Sequence, residues 1–316
     1  MIANDCPYIS VIIPSYNSFR TINNTIEKII DQNTRNYILE IIIVDSSEDE
    51  KTKKTLENIN CPFVKIINSG KKVPPALQRN IGAFNAKGKL LIFIDSDAYP
   101  ASNWLRGIHE AYINGFMIGG GSYMIDNNQT KINHIVAQYY FEFGEFIPVG
   151  RIRKKKILPS CNLFCDKELF IKAKGFPDIR AAEDSLFGII INQFATLYFF
   201  PDIKIYHTFR ENIKESLLNQ KLIGKYAIIY RKFCFPYLYG NKYLILSIFP
   251  FIFLYKFFKV YFRPIFHNPV DFLKQNKVLF RFLQCLTFWS LGVMQGILNN
   301  TQVNKNYRVQ LKIGRK

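Results

Sequence analysis

The sequence predicts an α/β fold organised on a parallel, doubly wound sheet, and three features carry that prediction. Short runs of branched apolar residues recur through the first hundred positions, helical periodicities separate them, and the runs end in turn-forming or acidic residues. Residues 8–13 form the first run, and Ile22, Ile26, Ile29 and Ile30 then repeat at the spacing of one helix face. The second run, 40–44, is Glu40 followed by a continuous β-branched stretch, as suits a strand covered on both faces. A lysine-rich stretch leads to a third strand near 64–67, and a helix follows around 76–86 that Gly88 can stop. The fourth run, within "KLLIFIDSDAYP", ends on two aspartates one residue apart.

The chain has 316 residues, 48% of them hydrophobic, enough to bury a sizeable core and to exclude disorder as a whole. Its net charge of +18 suggests nucleic acid until its distribution is read. Residues 1–200 hold 23 Lys and Arg against 20 Asp and Glu, whereas 201–316 hold 19 against 4. The excess therefore belongs to the C-terminal third, and no nucleic-acid partner is expected. The six cysteines form no C-x-x-C pair and no His-linked metal spacing, which fits reduced thiols. The N-terminus runs directly into "YISVIIPSYN" without a signal-peptide pattern, so this half of the chain is expected in the cytoplasm.

In a doubly wound sheet, ligands bind beyond the carboxyl ends of the strands. Pro14, Ser15 and Tyr16 follow the first strand, Asp45 and Ser46 the second, and Asp95 and Asp97 the fourth. Singly, each has a structural role as a turn former, N-cap or strand terminator. Together they converge on one sheet edge.

The ordered set "VIIPSYN", "IIIVDSSED", "LQRNIGA", "IFIDSDA", "PSCNLF", "KAKGF" and "AAEDSL" resembles the family 2 glycosyltransferases of the GT-A type, over roughly the first two thirds of the chain. The resemblance implies a Rossmann-like mixed sheet flanked by helices, here with an apolar helical C-terminal region, and inverting transfer from a nucleoside-diphosphate sugar. It implies that Pro14, Tyr16 and Asp45 hold the nucleobase and that Arg79 lies near the diphosphate. Asp95 would face the ribose and Asp97 a divalent cation, Mg2+ or Mn2+, with His207 close to the metal and diphosphate. Histidine at a strand end also has an ordinary structural reading. The resemblance further implies a catalytic domain over 1–230, with nucleotide-sugar binding in 1–125 and the acceptor side in 126–230, followed by a membrane-associating region over 231–316.

The chemistry explains the residue types. A diphosphate gains charge as the glycosidic bond breaks, and a hard cation held by one or two carboxylates neutralises it while keeping positions open. An attacking hydroxyl needs a base. Glu183 and Asp184 stand at an expected helix start, where acids also suit the helix dipole. The resemblance makes Asp184 the base and Glu183 an orienting or acceptor-binding residue. Arg210 and Lys225 could reach phosphates. A Q-x-x-R-W motif of processive synthases is missing, which favours transfer of one sugar, to a sugar or lipid-linked acceptor. The basic run "VGRIRKKKILPS" reads as a solvated loop, with a lid over a phosphate-bearing acceptor as the sharper reading.

Two apolar runs follow. Residues 243–255 carry no charge over 13 positions, and 282–300 carry none over 19. The first is short for a spanning helix and the second is marginal. Arg231, Lys232, Lys305, Arg308 and Lys312 flank them, as suits a membrane hairpin or helices lying in an anionic interface. A helical subdomain is the non-membrane reading. Two other classes compete: a nucleotidyltransferase, which should carry a Gly-rich loop where "PSYNSF" stands, and an inactive nucleotide-sugar-binding protein.

Overall fold

The computed structural model describes residues 8–32, 38–263, 270, 273 and 276–298. Nine strands form one sheet: β1 (Tyr8–Ser15), β2 (Ile38–Asp45), β3 (Val64–Asn68), β4 (Leu90–Ile94), β5 (Ala98–Pro100), β6 (Ile118–Ile125), β7 (Arg153–Lys155), β8 (Asn162–Asp166) and β9 (Leu197–His207). Their order is β3-β2-β1-β4-β8-β6-β9-β5, with β7 added on β9. The first four pair in parallel, as the alternating pattern predicts. Beyond β4 the pairing turns antiparallel, at β4 with β8, β6 with β8, and β9 with both β5 and β7. The sheet is therefore mixed.

The helices are α1 (Ile22–Ile30), α2 (Glu50–Glu57), α3 (Pro75–Asn85), α4 (Trp104–Ile113), α5 (Asn133–Phe143), α6 (Lys167–Lys172), α7 (Glu183–Ile191), α8 (Ile213–Cys234), α9 (Pro236–Tyr239), α10 (Lys242–Tyr261) and α11 (Leu279–Leu298). β4 is buried along its whole length, so its five apolar residues lie in the core while the following aspartates emerge at its end. Three glycines in β6 serve close approach. A Cβ on Gly121 would stand 1.9 Å from the Ile203 carbonyl oxygen and 2.5 Å from Asn162 Nδ2.

Two compact units emerge, one comprising 1–124 and 151–208, the other 125–150 and 209–316. The division expected at 125 and 230 does not coincide with these units: residue 230 lies inside α8, and 151–208 supply strands to the sheet. The basic run expected as a loop contains β7. Its Arg153 guanidinium stands 4.3 Å from the Phe199 ring centre.

In the second unit α8 runs along α11, and Phe282, Cys285, Leu286, Trp289, Val293 and Ile297 form a buried stripe at helical spacing. The later apolar run is thus largely a core helix. Among the described residues only α10 is long and apolar enough to cross a membrane by length and composition, and little of it is buried. Lys305, Arg308 and Lys312 lie outside the described residues. Small residues let α8 and α11 meet backbone to backbone: a Cβ on Gly292 would stand 1.9 Å from the Lys221 carbonyl oxygen, and one on Gly224 would stand 2.0 Å from that of Trp289. Gly292→Ala is expected to cost about 1–3 kcal/mol by overpacking, whereas Leu291→Ala, on the exposed side of the same helix, should stay within about 0.5 kcal/mol. Urea melts of the two variants check the contrast.

Candidate active site

The parallel register aligns the carboxyl ends of the strands, pairing Ser15 with Asp45 and Asp45 with Asn68. Asp45 is buried, and its carboxylate accepts hydrogen bonds from Ser15 Oγ at 2.7 Å and Ser47 Oγ at 2.6 Å. Pro14 lies buried within β1 opposite Val44. Tyr16 stands at the surface, donating to Glu48 and accepting from Lys72, each at 2.5 Å. The Lys72 ammonium also lies 4.1 Å from the Tyr16 ring centre. Tyr16 therefore offers an aromatic face at the strand edge, while Asp45 organises the turn beneath it.

One turn of α3 gathers the surrounding segments. Gln78 Nε2 donates to the Ser15 carbonyl and to Ser46 Oγ, tying the ends of β1 and β2. Arg79 spans 2.5 Å to Asp95 Oδ1 and 3.0 Å to Glu183 Oε1 with its side chain only 4% exposed. Asn80 donates to the Phe176 carbonyl and accepts from the Phe176 amide, both at 2.8 Å. That second clamp presses on Gly175, at φ 70, where a Cβ would meet Asn80 Oδ1 at 2.6 Å. Arg79, expected beside a diphosphate, thus has its charge engaged by two carboxylates.

Asp95 opens a tight turn in which the Ala98 amide donates to its carbonyl. Pairing of Ala98 with His207 across β5 and β9 brings His207 Nε2 to 3.6 Å from Asp97 Oδ1. The antiparallel pairing of Ile94 with Asn162 adds Cys161. Carboxylate, thiol and imidazole donor atoms of Asp95, Cys161 and His207 lie within 4.8 Å of one another. Burial, then the charges of Asp95 and Asp97, push the Cys161 thiol well above its ordinary value, so it stays protonated. The Asp97 carboxylate, 47% exposed, and the mostly buried His207 imidazole bring an oxygen and a nitrogen ligand atom together, a set that fits Mn2+ or Mg2+.

Glu183 and Asp184 begin α7, following Ala182 in the left-handed conformation at φ 63. Burial raises the Glu183 carboxyl, against the pull of Arg79. Asp184 is pushed up to about 7, by burial first and the Glu183 charge second, while the Ser185 amide donates to it at 2.6 Å. A carboxyl that exchanges protons near neutrality suits general-base chemistry. Gln78, Asn80 and Cys161 are the neighbours that sequence reading did not assign. For the first two, the signal is consecutive polar residues in an otherwise small and apolar helix.

Comparison with known proteins bears on the family and the fold. Residues 10–171, just over half the chain, match the family model described as Glycosyl transferase family 2. Glycosyltransferase AglE of Haloferax volcanii is 25% identical over 177 residues, covering 54% of this chain and 57% of AglE. An Escherichia coli relative, named UDP-Glc:alpha-D-GlcNAc-diphosphoundecaprenol beta-1,3-glucosyltransferase WfaP, is 27% identical over 195 residues, covering 58% of this chain and 70% of WfaP. The match thus spans little more than half of AglE's length. The solved structure of the mannosyltransferase PcManGT from Pyrobaculum calidifontis, in complex with GDP-Man and Mn2+, gives a TM-score of 0.55 at 15% identity, covering 98% of this chain and 86% of that one. S. aureus TarS 1-349 with UDP gives 0.51 at 18% identity, covering 90% of each chain. At such identities the likeness establishes the fold, a mixed sheet flanked by helices.

Proposed function

This chain belongs to glycosyl transferase family 2, and from that premise we propose that it moves a single sugar, with inversion and divalent-metal dependence, from a nucleoside-diphosphate sugar to a lipid-linked hydroxyl acceptor. The observation that carries the proposal is the buried Arg79 guanidinium, whose two ends hold the D-x-D turn through Asp95 and the acidic pair through Glu183.

In this reading the donor's nucleobase lies against Tyr16, with Pro14 and Asp45 shaping the strand ends and Asp95 facing the ribose. Asp97 and His207 would hold Mg2+ or Mn2+, which supplies positive charge to the departing diphosphate. Asp184 removes the acceptor hydroxyl proton as that oxygen bonds to the anomeric carbon from the face opposite the diphosphate. The bond from that carbon to the diphosphate oxygen breaks with its electron pair, and the configuration inverts. Glu183, fixed by Arg79, keeps a second negative charge beside the base and so holds its pKa high.

The lipid-linked acceptor is supported by the E. coli relative, whose name states that it acts on a diphosphoundecaprenol-linked sugar. It is supported as well by α10, whose outer side exposes Tyr243, Phe251, Leu254, Tyr255 and Phe258. The uncharged run 243–255 spans about 20 Å as a helix, short of the roughly 30 Å hydrocarbon core. The whole of α10 has the length and composition to cross, but its lysines at 256 and 259 and its short uncharged run favour a helix lying in the interface, with the catalytic unit on the cytoplasmic side.

The test is release of nucleoside diphosphate from a panel of nucleotide sugars by the full chain in detergent, with lipid-linked acceptors and either cation. Chelation should abolish release, and Asp97→Asn should lower turnover about a hundredfold or more with an unchanged circular dichroism spectrum. Absence of release with every donor overturns the reading.

A further inference from the structure

The second unit encloses a cavity of about 390 Å³ that the transfer chemistry does not use. Its walls come from α5, α8, α9, α10 and α11 and combine aromatic surface with an excess of cations. Four basic residues, Arg231, Lys256, Lys259 and Arg263, face two acids, Glu142 and Glu145. Glu145 is already taken by Arg263 at 2.5 Å and Lys259 at 3.4 Å. Glu142 accepts from the side-chain amides of Gln138 and Gln220. Arg231 and Lys256 are left without a carboxylate partner among the described residues. Arg231 donates to the Ala227 carbonyl of its own helix, and the Lys256 ammonium lies 4.8 Å from the Phe141 ring centre and 5.2 Å from that of Trp289.

A partly buried ammonium facing aromatic rings instead of a carboxylate has a counter-charge deficit. Burial, with Arg263 and Arg231 adding to it and Glu145 opposing, brings Lys256 down to about 7. An anion placed between Arg231 and Lys256 would supply the missing charge. The apolar part of the wall continues outward: Phe251 and Tyr255 line the cavity and are also 71% and 66% exposed on the outside of α10. The cavity therefore opens along the same helix surface proposed to lie in the lipid interface.

From this geometry we propose that the cavity binds the phosphate of a membrane lipid, with Arg231 and Lys256 on the anion and the hydrocarbon chain leaving along Phe251 and Tyr255. The ligand class is a phosphate-bearing amphiphile, because the cations alone would select free phosphate and the aromatic wall alone would select any hydrocarbon. The proposal rests on the interfacial placement of α10 but not on the transfer chemistry.

Trp289 lies on the cavity wall, and with only two tryptophans in the chain its fluorescence reports occupancy. The full chain in detergent is titrated, without donor, with farnesyl phosphate, farnesol and inorganic phosphate. Farnesyl phosphate should give a saturable change that Trp289→Phe removes, and both other probes should bind at least about tenfold more weakly. Arg231→Gln and Lys256→Met should each weaken farnesyl phosphate by about tenfold with unchanged melting temperature, and Lys214→Gln on the same α8 should not. Equal binding of farnesol, equal binding of inorganic phosphate, or wild-type affinity in the Arg231 and Lys256 double variant would overturn the proposal. Binding without nucleoside diphosphate release would leave this site standing and remove the transferase reading, and release without binding would do the reverse.

Discussion

Replacing Asp184 by Asn is expected to lower kcat by about 10²- to 10⁴-fold while donor affinity and fold stay intact. The amide keeps the shape of the carboxylate and can still accept from the Ser185 amide, so the loss isolates proton transfer. The pH profile supplies the sharper evidence. As the proposed base, Asp184 would work deprotonated, and with its pKa at about 7 the acid limb of kcat/KM should fall below neutrality by about tenfold per pH unit. Glu183→Gln removes the neighbouring negative charge that helps raise that pKa. The acid limb should then move to lower pH, although the variant also loses one partner of Arg79. Unchanged turnover in Asp184→Asn, or an acid limb that ignores Glu183, would remove Asp184 as base.

Arg79→Met should be the most destabilising single change in the catalytic unit, by about 3–5 kcal/mol. The guanidinium is nearly inaccessible and ion-paired twice, so its loss leaves Asp95 and Glu183 facing one another without a counter-charge. The penalty comes from those two stranded carboxylates more than from the missing bonds. Adding Glu183→Gln and Asp95→Asn should therefore restore much of the stability without restoring turnover. Urea unfolding of the single and triple variants, followed by circular dichroism, checks both parts. A single variant as stable as the wild type would mean that the cluster is solvated and not structural.

How much of this was legible in the sequence depends on whether a residue's role is local. The strand-end acids were readable because Ile41, Ile42 and Ile43 on one strand and Leu91, Ile92 and Phe93 on another are fully buried, and continuous apolar runs announce such strands. His207 and the pair Glu183 and Asp184 were readable for the same reason, as polar residues at element ends. Arg79 was found but its engagement was not, because ion pairing to residues 16 and 104 positions away is set by tertiary packing. Cys161 was unassigned because antiparallel insertion of β8 beside β4 cannot be read from runs that predict parallel strands. The run 282–300 was ambiguous between membrane and core, since one buried stripe and twenty helical residues satisfy either composition. Its glycines at 292 and 296 carried the missing information, as close helix contact.

The shared guanidinium has a thermodynamic consequence. If Asp95 faces the ribose as proposed, a bound donor that draws on it would change how strongly Arg79 is held by Glu183, and through Glu183 the proton affinity of Asp184. Linkage makes that influence reciprocal: whatever factor donor binding applies to deprotonation of Asp184, deprotonation applies to donor binding. Donor affinity should accordingly drift with pH across the range where Asp184 titrates, in the absence of any acceptor, and the two half-sites of the reaction communicate before they share a substrate.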